Sequence, residues 1–249
     1  MKPYKRIIRP NHIHENNINI GHDFLNRKDY CSETRQLIHA FHIIQDDYRK
    51  LMDYVELHNE NNTTFSHRIY ELLLRTCTEF ENNCKGILID NNYSSNGGNL
   101  NITDYFKINK ASKLNEYTVK INNWFPESII IKPFEEWNSN EYSQLFWYKA
   151  YNNVKHNRSE NFQDANLKNL TYALAALFIV LASQFDKNVF TQFQEWSMSS
   201  SGDDGYQSSQ NSIFSYKYPN WLATDKVEHI SRELLVNDNF EYSIFDFNV

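Results

Sequence analysis

Tyr172-Ala173-Leu174-Ala175-Ala176-Leu177-Phe178-Ile179-Val180-Leu181-Ala182 reads as a helix that is apolar on every side, with no Pro, Gly or charge to interrupt it. Such a helix needs protein against all its faces, so it marks the centre of a helical bundle. The pattern extends over about residues 164–185. Its unbroken apolar run falls short of the ~18 residues that span a bilayer, and the N-terminal residues carry no apolar core of signal-peptide length. The expectation is a cytoplasmic protein with no membrane contact.

Working outward, the segment before this helix concentrates the polar chemistry of the chain. Phe146-Trp147-Tyr148-Lys149-Ala150-Tyr151-Asn152-Asn153-Val154-Lys155-His156-Asn157-Arg158 brings aromatic rings, cations, amides and a histidine into about four helical turns. Asn152 and His156 stand one turn apart on one face, with Tyr148 one turn further back on it, while Phe146, Ala150 and Val154 repeat at the same spacing on another. The spacing predicts a helix over about 143–157 that packs by one side and can present an imidazole on the other.

Further upstream, Leu37, Ile38, Phe41, Ile44, Tyr48, Leu51, Met52 and Val55 recur at three and four, which predicts a long amphipathic helix from about 23 to 58, broken at most once. A second helix is expected over about 65–89, capped by Thr64 or Ser66. On it Glu71, Arg75 and Glu79 follow one another at spacings of four. They suit mutual ion pairing on an exposed stripe, and Arg75 alternatively offers charge to a site. Residues 102–112 read as a short helix, and β-branched runs at 117–121 and 128–131 as short strands inserted near 114–132.

The resulting layout is an irregular arm over 1–22, a helical domain over 23–193, a flexible Ser/Gly-rich loop over 194–212, and a C-terminal extension over 213–249. That extension is read as strands at 213–218 and 242–247 with a helix around 226–235 between them. The expected fold class is mainly α, a helical bundle with a small β insertion and a mixed C-terminal extension.

Composition narrows the function. The chain has 249 residues, 41% hydrophobic and 15% aromatic, enough to fold around a large core. A formal charge of −6 gives no general attraction to nucleic acid, so any contact with RNA must come from a local cluster such as Lys149, Lys155, Arg158 and Lys168. Six glycines and no phosphate-cradling motif exclude a P-loop, and no Gly-x-Ser-x-Gly elbow is present. His39 with His42, and His12 with His14, lack the further ligands a metal site needs, so no metal and no cofactor are expected. Cys31, Cys77 and Cys84 read as reduced, buried thiols.

Two long helices, an irregular insertion, a helix ending Tyr151-Asn152-Asn153-Val154-Lys155-His156 and a buried Ala/Leu-rich helix together resemble the HEPN superfamily (higher eukaryotes and prokaryotes nucleotide-binding) over roughly residues 30–190. The resemblance implies a bundle of HEPN type and, in many members, a metal-independent endoribonuclease serving as a toxin or in antiviral defence. It implies His156 and Asn152 as the catalytic pair, with Lys155, Arg158, Lys149, Tyr151 and Arg75 available to bind substrate. It also implies a homodimer, because the family's composite site forms between protomers. The family's motif arginine would fall on Tyr151, and the nearest arginine, Arg158, follows the histidine. Alternative readings are a non-catalytic scaffold or interaction subunit, in which His156 and Lys155 complement the helix C-terminus, and a small-ligand sensor.

Overall fold

The computed structural model describes residues 2–10, 23–95, 97–191, 199–227 and 240–248. Parts of the expected arm and loop, the histidines at 12 and 14, and most of the helix expected around 226–235 lie outside them.

Among the described residues, seven α-helices and five strands pack together: α1 (Thr34–Met52), α2 (His67–Asp90), α3 (Ile102–Phe106), α4 (Ile108–Ser112), β1 (Thr118–Ile121), β2 (Ile129–Ile131), α5 (Phe146–His156), α6 (Arg158–Asn161), α7 (Leu167–Phe185), β3 (Ser199–Ser201), β4 (Gln207–Ser209) and β5 (Phe214–Lys217). Helix starts follow local chemistry. Ser66 accepts from the Ile69 amide at 3.2 Å to open α2, and Asn166 accepts from the Asn169 amide at 3.0 Å to open α7. Asn101 and Asp104 form a reciprocal capping box at α3.

Helix α7 is the hub. Its apolar residues from Leu174 to Leu181 are fully buried, with α1, α2 and α5 among the elements packed around it. By length and composition the segment Leu167–Phe190 could cross a membrane, but 89% of its most apolar window is buried within the fold.

The mainly α expectation is corrected by the sheet. β1, β2, β3, β4 and β5 form a single antiparallel five-stranded sheet in the order β2-β1-β5-β4-β3, so the architecture is mixed α/β with helices predominating. The strands read as an insertion and those read as a C-terminal extension belong to one element. Val119 pairs with Tyr216 and Ile121 with Phe214, and all four side chains are buried. Phe178 of α7 reaches Phe214 and Tyr216 with ring centroids 5.5 and 5.7 Å apart, and Phe41 of α1 at 5.6 Å. One side of the all-apolar helix is therefore covered by sheet. Within the Ser-rich stretch, β3 and β4 pair as a hairpin.

The chain termini dock on this core. Ile7 and Ile8 are buried, and Tyr4 bridges to Ser243. The segment expected as a strand at 242–247 makes that isolated bridge instead of a ladder. Arg9 sits against the rings of Tyr4, Trp221 and Phe245 at 5.1, 5.4 and 5.6 Å, so one guanidinium ties the N-terminal arm to two C-terminal segments. The three cysteines are buried and unbridged.

Candidate functional site

Helix α5 divides its residues between core and solvent. Trp147, Ala150, Tyr151 and Val154 face inward, and Trp147 donates its indole N–H to the Pro133 carbonyl at 2.8 Å. Lys149, Asn152, Asn153 and His156 recur at three and four and form the outward stripe, with Lys149 and His156 exposed and both asparagines half-buried. Asn153 donates to Asp164 Oδ2 at 2.8 Å, which folds α6 and the turn after it back against the stripe. Among the described residues, His156, Asn152 and Lys149 have no hydrogen-bond partner for their side chains.

The inward edge of α5 meets α2 through a polar cluster. Tyr148 donates to Glu81 Oε1 at 2.9 Å, and Lys155 Nζ donates to the Tyr151 hydroxyl at 2.8 Å while lying 4.0 Å from Glu81. Lys85 stands 3.8 Å from the other Glu81 oxygen. Burial, reinforced by the Glu81 carboxylate, holds the Tyr148 phenol well above its ordinary range. Burial also raises Tyr151, against the opposing hydrogen bond from Lys155. The same bond, from the other side, raises Lys155. These phenols are locked as neutral hydrogen-bonding groups, and Lys155 as a cation.

The residues assigned by sequence thus separate. Lys149, Asn152 and His156 share the exposed stripe. Lys155 and Tyr151 belong to the α2–α5 seam, and Tyr151 is only 2% exposed, so it presents no ring to a substrate. Arg158 opens α6 next to the stripe, its guanidinium 5.4 Å from the Tyr70 ring centroid. Arg75 is turned elsewhere: it bonds Asp47 of α1 at 2.7 Å. The expected Glu71–Arg75–Glu79 ladder does not form, because Glu71 pairs with Arg68 and Arg75 reaches across to α1. Glu79 is instead partly buried, which raises its carboxyl.

Sequence reasoning missed Glu81 as the acceptor of the seam and Asp164 as the clamp on Asn153. Glu81 lies four residues from Cys77 and Lys85 on α2, a helical-face signal, but its partners come from a helix more than sixty residues away.

This end of the fold carries uncommitted cations near the acids Glu160 and Asp164. Lys149 and Arg158 are exposed and, among the described residues, pair with no carboxylate; Lys168 on α7 likewise lies only against the Phe146 ring, at 5.1 Å. The cations of α1 and α2 are largely committed, with Arg49, Lys50, Arg68, Arg75 and Lys85 each bound to an acid. Among the described residues no group of three His, Cys, Asp or Glu side chains is arranged to hold a metal. The chain matches no known protein family, no curated protein and no solved structure.

Proposed function

We propose that this protein binds RNA across the outward stripe of α5 and the start of α6, and that His156 serves proton transfer in metal-independent cleavage of the bound strand. The observation that carries the reading is the placement of Lys149, Asn152 and His156 on one exposed face beside Arg158, with their charges and donors not committed within the fold. An RNA strand supplies what this face lacks, a line of phosphates for the cations and for the asparagine amide.

The chemistry is attack of a ribose 2′-oxygen on the adjacent phosphorus with departure of the 5′-oxygen. It yields a 2′,3′-cyclic phosphate and a 5′-hydroxyl. One group takes the 2′-hydroxyl proton and another gives a proton to the leaving oxygen, while donors stabilise the charge on the phosphorane. His156 suits either proton role, Asn152 can donate to a non-bridging oxygen, and Lys149 and Arg158 supply charge. The resemblance to HEPN proteins suggests where a second proton-transfer group arises: two copies of the stripe facing one another bring two imidazoles to one phosphate.

The scaffold reading rests on a specific feature. At the position where the family carries arginine, this chain has the buried Tyr151, whose hydroxyl is held by Lys155. The two readings part in one experiment. Wild type, His156→Ala and Asn152→Ala are incubated with total RNA and a tRNA pool in EDTA, and the ends produced are mapped. Cleavage with cyclic phosphate ends that disappears in His156→Ala supports the nuclease; intact RNA with all three proteins supports the scaffold.

A further inference from the structure

Phe65 just before α2, the first turn of that helix and the turn after α6 assemble a solvent-facing group of rings beside the α5 stripe. Phe162 is its hub. Phe65 meets it edge-on with centroids 5.5 Å apart, His67 lies tilted against it at 4.7 Å, and Tyr70 approaches at 6.2 Å. Phe65 remains 42% exposed and His67 is exposed, so this cluster leaves ring surface open to solvent. Arg158 stacks on Tyr70 at its margin.

The backbone beneath the rings is fixed. Phe65 pairs with Asn166 as an antiparallel bridge, the Leu167 amide donates to the Thr64 carbonyl at 2.9 Å, and the Lys168 amide donates to the Asn62 carbonyl at 3.1 Å. Asn153 clamps the Phe162 turn from the other side through Asp164. A preformed aromatic surface loses little conformational freedom when a ligand settles on it.

The guanidinium at the margin points to the occupant. Arg158 borders the rings with no carboxylate partner among the described residues, while the two acids of the adjoining turn, Glu160 and Asp164, accept from the neutral amides of Asn157 and Asn153 and not from the guanidinium. Exposed rings beside an unpaired guanidinium fit a π-faced, anionic chain. Base stacking on aromatic side chains with cations along the backbone is how single strands are held without sequence preference.

We infer that Phe65, His67 and Phe162 form a stacking platform for unpaired bases of an RNA strand whose phosphates run past Arg158 to the α5 stripe. This inference rests on the proposed RNA binding and adds that the ligand is single-stranded and is held by its bases.

The test compares binding of a fluorescent oligoadenylate with that of an abasic ribose-phosphate chain of the same length. Wild type should prefer the base-bearing chain by roughly tenfold. Phe65→Ala and His67→Ala, both at solvent-facing side chains, should each lose most of that preference while retaining affinity for the abasic chain. Phe162→Ala should do the same, provided its circular dichroism and melting match wild type. Equal binding of both chains by wild type overturns the platform and leaves RNA binding standing. Unchanged preference in the Phe65 and His67 variants also overturns it. Absence of binding to either chain overturns both the platform and the reading beneath it.

Discussion

Tyr148 of α5 donates its hydroxyl to Glu81 of α2 at 2.9 Å, and through that carboxylate the outward stripe of α5 is registered against the longest helix of the fold. Glu81 is mostly buried, and Lys85 and Lys155 approach it from two sides. The cluster is a seam that fastens α5 to α2, with Tyr148 and Tyr151 buried and Lys155 keeping part of its side chain exposed.

Tyr148→Phe should therefore weaken the fold while sparing the site. Loss of one hydrogen bond to a carboxylate costs about 1.5–3 kcal/mol, equivalent to a fall in melting temperature of roughly 3–12 °C for a chain of this size. Thermal unfolding measures the first effect, and unchanged RNA affinity at a temperature well below the transition checks the second.

Arg75 should prove dispensable for RNA. Its ion pair with Asp47 is partly exposed, so Arg75→Ala should cost less than about 1 kcal/mol by urea unfolding and leave affinity unaltered. A large loss of affinity in this variant would return Arg75 to the site.

Asp186 gives stability an unusual pH dependence. It is fully buried after α7, where burial raises its carboxyl, and both Tyr216 and Tyr218 donate to it. The folded state holds a proton there that the unfolded state releases at about pH 3.9. Between that pH and the raised folded value the native state binds more protons, so the contribution of Asp186 to stability falls as pH rises. Asp186→Asn keeps a side chain compatible with the positive φ of 52° and should flatten this slope. Unfolding of both proteins by urea from pH 4 to pH 8 reads the difference.

Phe178 should couple the two layers. It touches α1 and β5 from α7, so Phe178→Ala should destabilise by about 3–5 kcal/mol. Hydrogen exchange should then show α1 and β5 losing protection together. Separate losses would mean that the sheet folds independently of the helices.

The long helices were legible because each carries its own periodic signal: the apolar run at 172–182, the three-and-four spacing along α1 and α2, and the cap at Ser66. The sheet was not, because its strands are three or four residues long and the β1–β5 pairing joins residues nearly a hundred apart. No local pattern connects Val119 with Tyr216. Of the exposed stripe of α5, spacing placed Asn152 and His156 together, but Tyr148, one turn back at the same spacing, turns inward to Glu81 instead. Arg75 was misplaced because a charge on a helix surface does not reveal which neighbour it will meet, and the Phe65, His67 and Phe162 cluster is scattered over two segments that come together only through the bridge between Phe65 and Asn166.

The most direct test of RNA binding at the α5 stripe is the salt dependence of affinity for a single-stranded oligonucleotide, measured by fluorescence anisotropy for wild type, Lys149→Gln and Arg158→Gln. Each cation that meets a phosphate contributes about 0.7 to the slope of log affinity against log salt. Wild type should bind at low salt, and each variant should show a slope shallower by about that amount. No binding at low salt, or three identical slopes, would contradict the assignment of this face to RNA.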